Sequence, residues 1–235
     1  MESSQIPTLH SNIQKVRHRI AEAARGCGRD PESVHLVAVS KTVSADKVAQ
    51  AASAGLKCFG ENYVQEALDK MEALSHLPVS WHFIGHLQTN KVRYVVGRFA
   101  LIHSVDSVKL ADAIERRCAL VGVTQEILVQ VNLGGEKTKS GIDVEGSGDL
   151  LRQIDRMPHL RLRGLMTLPP FFDEPEKARP YFAALRTLRD RLAGQGFARG
   201  GLDQLSMGMT GDFEAAIEEG ATMVRIGTAI FGKRP

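Results

Sequence analysis

The chain opens on a helical period. Leu9, Ile13, Val16 and Ile20 fall at spacings of four, three and four, laying one apolar stripe along a helix over about residues 8–26. Gly26 and Gly28 flank Cys27 and stop that helix, and Asp30-Pro31 marks a turn. From Val34 onward two periods alternate. Short apolar or β-branched runs at 34–40, 57–60, 81–85, 101–105, 126–132, 161–168, 204–207 and 223–227 predict strands. Between them lie helical patterns anchored on Val48, Ala67, Val92, Ile114, Leu151, Leu188 and Ala216 in turn.

Parallel neighbours need a crossover, so eight strands alternating with helices imply a parallel sheet. The repeat is about 24 residues, which suits a closed (β/α)₈ TIM barrel better than an open doubly wound sheet. No Gly/Ser/Pro-rich linker divides the chain, and its loosest stretch, 194–201, fits the loop before the seventh strand. The reading is α/β: one domain over 1–235, with an extra N-terminal helix and a barrel over about 34–232.

Composition narrows the function classes. Of 235 residues, 43% are hydrophobic, enough for a sizeable core. Lys plus Arg exceed Asp plus Glu by only 30 to 27, and the arginines between Arg152 and Arg191 are interleaved with apolar and acidic residues, so no nucleic-acid stripe is expected. No apolar run reaches the ~18–20 residues of a membrane helix, and Met1–Pro7 has neither the basic nor the apolar region of a secretory signal. Cys27, Cys58 and Cys118 lie far apart, consistent with a reducing compartment; the expectation is a cytoplasmic protein.

In a barrel, chemistry belongs at the C-terminal strand ends. Read in order, these ends offer Lys41, then Glu61-Asn62-Tyr63, His86 with Gln88, Ser104 with Asp106, Asn132, Thr167, Ser206-Met207-Gly208-Met209-Thr210 and Arg225-Ile226-Gly227-Thr228. Lys41 directly follows an apolar strand. Partial burial there favours a neutral amine able to form a Schiff base, while a snorkelling strand-end lysine is the plain alternative. Small and hydroxyl residues after strands seven and eight mark the usual phosphate position of such barrels, with Thr210 or Gly211 near the following helix. A lysine facing a phosphate cradle suggests a phosphorylated aldehyde: pyridoxal phosphate, or a sugar phosphate.

Five segments carry a resemblance: Val39-Ser40-Lys41-Thr42, Phe59-Gly60-Glu61-Asn62-Tyr63-Val64-Gln65-Glu66, Trp81 to Gln88, Ser206-Met207-Gly208-Met209 and Val224-Arg225-Ile226-Gly227-Thr228. Together, from about Val34 to Gly232, they closely resemble the pyridoxal phosphate homeostasis protein family, the single-domain relatives of bacterial alanine racemase also called proline synthase co-transcribed protein. The resemblance implies pyridoxal 5'-phosphate (PLP) held covalently by Lys41 as an internal aldimine. It implies phosphate contacts from Ser206, Gly227 and Thr228, Arg225 facing the pyridine nitrogen and Asn62 lining the ring pocket. An arginine beside that nitrogen disfavours its protonation and weakens the ring as an electron sink. One departure is Val43-Ser44 where many members have Lys-Pro; Ser44 is expected to cap the next helix.

The resemblance further implies a carrier or regulator of PLP, acting on vitamin B6 and amino-acid balance without established turnover. PLP-requiring apo-enzymes are its expected partners, and a monomer its expected state. Racemases of this lineage need a second base supplied with help from an extra β domain, for which the eight residues after Gly227 leave no room. The alternatives are a racemase-like PLP enzyme, with Tyr63 and His86 as the nameable second acid or base, and a Schiff-base sugar-phosphate aldolase. His82 and His86 are not expected to pair on a metal, being about 13 Å apart if extended. His35, His103 and His159 read as structural. Met166, Met207 and Met209 read as soft packing under the cofactor ring, and Lys137 or Lys139 as aids to cofactor exchange.

Overall fold

The computed structural model describes residues 8–136, 140–196 and 201–232. Among them, eight strands pair in chain order, β1 with β2 through to β8 with β1, into a closed barrel; the pairings are parallel. The strands are β1 His35–Val39, β2 Cys58–Glu61, β3 Ser80–Phe83, β4 Leu101–Val105, β5 Gln125–Val131, β6 Leu160–Thr167, β7 Gln204–Ser206 and β8 Met223–Ile226. Each lies within a residue or two of its expected run.

The helices are α1 Leu9–Gly26, α2 Ala45–Ser53, α3 Val64–Ala73, α4 Val92–Val95, α5 Val108–Val121, α6 Val144–Ile154, α7 Arg179–Ala193, α8 Phe213–Glu218 and α9 Thr228–Phe231. The short α9, after the last strand, was not anticipated. The stripe of α1 is buried at Ile13, Val16 and Ile20, and this helix packs on α8 and α9. Ser44 caps α2, its Oγ accepting the Lys47 N–H at 3.4 Å. The Val43-Ser44 departure therefore leaves the helix start intact.

Alternation along each strand divides the core in two. One set of positions packs against the helices: Ala38, Phe59, Ile102, Ile127, Leu165, Leu205 and Val224 belong to the large outer core. The other set fills the barrel, where Val37, Leu101, Leu128, Met166 and Met223 form their own cluster. Counting by twos from these interior positions leads to Lys41, His103 and Arg225, and from Cys58 to Asn62, while Ser206 shares the interior face of its register partners Met166 and Met223. The pleat that fills the barrel thus also aims polar side chains up its axis.

Candidate functional site

A cavity of about 320 Å³ opens at the C-terminal end of the barrel. Lys41 and Asn62 line one side, Thr210, Gly211, Gly227 and Thr228 line another, and Arg225 and Asp212 also border it. Val39, Ile84, Leu168 and Phe172 contribute apolar wall, and Phe171, 85% exposed, stands at the rim. Such a chamber, mostly apolar with a few converging polar groups, suits a small planar ligand.

Local backbone geometry explains how these groups reach it. Asn62 packs its main chain against Gly85, where a Cβ would lie 2.3 Å from the Asn62 carbonyl oxygen. Its own side-chain Oδ1 is buried with no hydrogen-bond partner. After β7 the chain turns at Gly208, φ +90°, where a Cβ would sit 2.6 Å from that of Ala216. Asp212 then accepts the Met209 N–H at 2.6 Å, closing the turn that presents Thr210. Burial pushes the Asp212 carboxyl above its ordinary value, against the pull of the Met209 N–H and Arg225.

Beneath the cavity runs a buried polar row. Arg225 donates through Nη1 to Ser206 Oγ at 2.6 Å and through Nη2 to the Thr167 carbonyl at 2.9 Å. Ser206 Oγ lies 2.9 Å from His103 Nδ1, and His103 Nε2 lies 3.0 Å from His82 Nδ1. A guanidinium only donates, so Ser206 accepts from it. The hydroxyl can donate to His103 Nδ1, with His103 Nε2–H donating to His82, or accept a second bond from His103 Nδ1–H, with His82 Nδ1–H donating to His103 Nε2. Both imidazoles are neutral in either arrangement. Burial agrees, lowering His82 to about 4 and His103 well below the ordinary histidine value, with the neighbouring cations adding to the effect. Arg225, fully enclosed, is lowered to about 10 by burial and still carries its charge at neutral pH.

Five of the six residues singled out from the sequence, Lys41, Asn62, Arg225, Gly227 and Thr228, border this one cavity. Ser206 does not. It is fully buried inside the barrel and its hydroxyl is engaged by Arg225 and His103, so it supports the floor, and Thr210 is the hydroxyl on that side of the chamber. Of the methionines expected to pack under the ring, Met209 borders the cavity and Met166 belongs to the interior cluster, but Met207, one residue out of phase with Ser206, packs in the outer core, and for it the expectation is corrected. Tyr63 and His86 line a neighbouring cavity that shares Asn62, and His86 Nδ1 lies 3.1 Å from Ser140 Oγ. His82 faces His103, and among the described residues no group of three or more metal-ligating side chains forms. His159 pairs with Glu115 at 2.7 Å, a structural contact. Lys137 and Lys139 lie outside the described residues.

The sequence reading takes His103 as structural, without its place in the polar row, and passes over Asp212. The signal for His103 was its position two residues from interior Leu101, in a strand buried throughout. Among the described residues, no helix is long and apolar enough to cross a membrane.

Comparison with known proteins accords with this architecture. Residues 11–235 match the family described as alanine racemase, N-terminal domain. The chain is 47% identical over 222 residues to the pyridoxal phosphate homeostasis protein of Aquifex aeolicus, covering 94% of this chain and 96% of that one. It is 48% identical over 228 residues to the protein of the same name from Pseudomonas aeruginosa, covering 97% and 96%. The structure of PipY of Synechococcus elongatus with PLP bound superposes with a TM-score of 0.85 at 35% identity, over 96% of this chain and 100% of that one. An alanine racemase from Corynebacterium glutamicum, at 17% identity and a TM-score of 0.72, shares the fold over 95% of this chain and 62% of its own length. By sequence over nearly its whole length and by its closed barrel, the chain belongs to the pyridoxal phosphate homeostasis protein family, built on the alanine racemase N-terminal domain.

Proposed function

We propose that this protein binds PLP in the Lys41 cavity, linked covalently through Lys41, and carries or buffers the cofactor to regulate vitamin B6 and amino-acid balance. The observation that carries this reading is the gathering of Lys41, Arg225 and the Thr210–Gly211 and Gly227–Thr228 segments around one 320 Å³ chamber. The chamber fits the group in three respects. It has an amine for the aldehyde, hydroxyl and glycine wall for a phosphate, and an orphaned Asn62 Oδ1 able to accept a hydrogen bond from the ligand. The names of the relatives, and PLP in the PipY structure, support the same choice.

Bound PLP supplies an aldehyde for condensation with an amine and a pyridine ring that withdraws electrons from it. Arg225, charged and fixed by Ser206 and Thr167, would offer the ring nitrogen only a donor and so oppose its protonation. That weakens carbanion chemistry and favours carriage. Tyr63 and His86 stand in the adjoining cavity, away from Lys41, which also favours carriage over racemisation. The protein is read as a cytoplasmic monomer that hands PLP to PLP-requiring apo-enzymes.

The test is borohydride reduction with PLP followed by peptide mass mapping. A phosphopyridoxyl adduct confined to Lys41 and absent in Lys41→Ala is expected. Scattered labelling, or none, overturns the reading. One observation favours a racemase-like enzyme: Asp212 borders the cavity, and burial raises its carboxyl above the ordinary value, so it holds a proton more readily than an exposed aspartate. Amino-acid turnover that Asp212→Asn abolishes would establish that alternative.

A further inference from the structure

Lys41 is flanked by residues that point the other way. Ser40 and Glu61 both face outward from the barrel, toward α3, and both are fully buried there. Lys70, on α3, reaches them: its Nζ donates to the Ser40 carbonyl at 2.6 Å, to Glu61 Oε1 at 2.7 Å and to Glu66 Oε1 at 2.6 Å. Ser40 Oγ donates to the same Glu61 oxygen at 2.6 Å. Glu66 in turn accepts the Thr42 N–H at 2.5 Å.

These contacts converge on the turn that carries Lys41. The Val43 N–H donates to the Ser40 carbonyl at 3.0 Å, so residues 40–43 form a tight turn. Thr42 sits in it at φ 61°, the one non-glycine residue at positive φ among those described. A β-branched side chain is sterically disfavoured there, in a position turns usually give to glycine. Left alone, the segment would relax and redirect the Lys41 side chain. Lys70 and Glu66 hold it at both ends, one on the residue before Lys41 and one on the residue after. Lys70 is only 5% exposed and its three acceptors satisfy all three ammonium protons. An ion cluster this deep adds little net stability over an apolar replacement, while removing one member strands its buried partners, so the cluster holds together in one arrangement.

We propose that Lys70, Glu61 and Glu66 form a clamp that positions Lys41 for reaction with the aldehyde of PLP, by holding the Ser40–Val43 turn against the strain at Thr42. The inference rests on the reading of Lys41 as the PLP lysine. The three are positioning residues, acting through the backbone on either side of Lys41. In the step they serve, the Lys41 nitrogen forms a C=N bond with the aldehyde carbon, and its two protons leave with the aldehyde oxygen as water.

The test compares two ligands of one cavity. PLP reacts with Lys41, whereas pyridoxine 5'-phosphate, with an alcohol in place of the aldehyde, only occupies the chamber. In Glu66→Ala and Lys70→Met the rate of covalent capture, read by absorbance and by the reduced Lys41 peptide, is expected to fall about tenfold or more. Affinity for pyridoxine 5'-phosphate is expected to stay within about twofold, since no residue of the chamber wall is replaced. Adding Thr42→Gly to Glu66→Ala removes the strain and should restore capture, a rescue that general loss of stability would not show. Glu66 is partly exposed, so Glu66→Ala, which removes the acceptor of the Thr42 N–H, carries the test should Lys70→Met not fold. Equal weakening for both ligands, capture at the wild-type rate, or no rescue by glycine overturns the clamp. Wild-type protein that yields no Lys41 adduct overturns the underlying reading instead.

Discussion

Ser206 shows how much depends on the face a single residue takes. A serine in a glycine-rich segment after a barrel strand reads as a phosphate ligand, and the motif it stands in supported that. The pleat places its Cβ inside the barrel instead, where the hydroxyl accepts from Arg225 and faces His103. Ser206→Ala therefore leaves one Arg225 N–H and His103 Nδ1 without partners in a buried space. Denaturant unfolding is expected to show a loss of about 1–3 kcal/mol, the range for stranded buried polar groups. The slope against denaturant should stay unchanged, because the surface exposed on unfolding is the same. A loss confined to ligand binding, with stability intact, would return Ser206 to the phosphate.

At the scale of elements, the strand–helix alternation was legible because each strand is buried on both faces and each helix on one stripe, and the two periods differ. Less legible was α9, whose 4 residues are too few to show a period. β7, with 3 residues, and α4, with 4, were marked by their place in the alternation. The clamp was half visible. Glu66 and Lys70 stand at the spacing that lets side chains pair on a helix, yet nothing in the sequence said that this pair was buried or that it would grip Ser40 and Thr42. Contacts between elements 30 positions apart come from the closure of the barrel, not from local pattern.

The turn between β7 and α8 belongs to this scale as well. Gly208 combines φ +90° with a phantom Cβ 2.6 Å from Ala216 and 3.0 Å from the Phe213 Cα. Gly208→Ala meets both left-handed strain and a packed helix start. A stability loss of about 2 kcal/mol or more is expected, with weaker PLP binding because Thr210 and Gly211 hang from this turn. Urea unfolding and a PLP titration on the same preparation check the two halves together. An alanine variant with wild-type midpoint would mean the turn is looser than its geometry shows.

For the molecule as a whole, the interior histidines set a limit on the acid side. His82 is lowered to about 4 from 6.5, and His103 also titrates below its ordinary value. Between those limits the unfolded chain binds protons that the folded barrel refuses, so stability rises with pH through this window. The contribution of His82 is fully present above about pH 6.5 and declines as pH falls toward 4, by on the order of 3 kcal/mol. Thermal midpoints measured between pH 7 and 4.5 should fall, and His82→Gln should flatten that slope. An unchanged slope in the variant would mean that other groups control the acid limb.

The row from Arg225 to His82 also holds its protons as a set. The guanidinium can only donate to Ser206, and each remaining bond of the row needs one proton between its two partners. Neither imidazole can change tautomer alone without setting two protons or two lone pairs face to face, so the two rings change together or not at all. The barrel therefore encloses something like a two-position latch, and the end that cannot turn, the fixed charge of Arg225, borders the chamber where a ligand's own charge would be felt first.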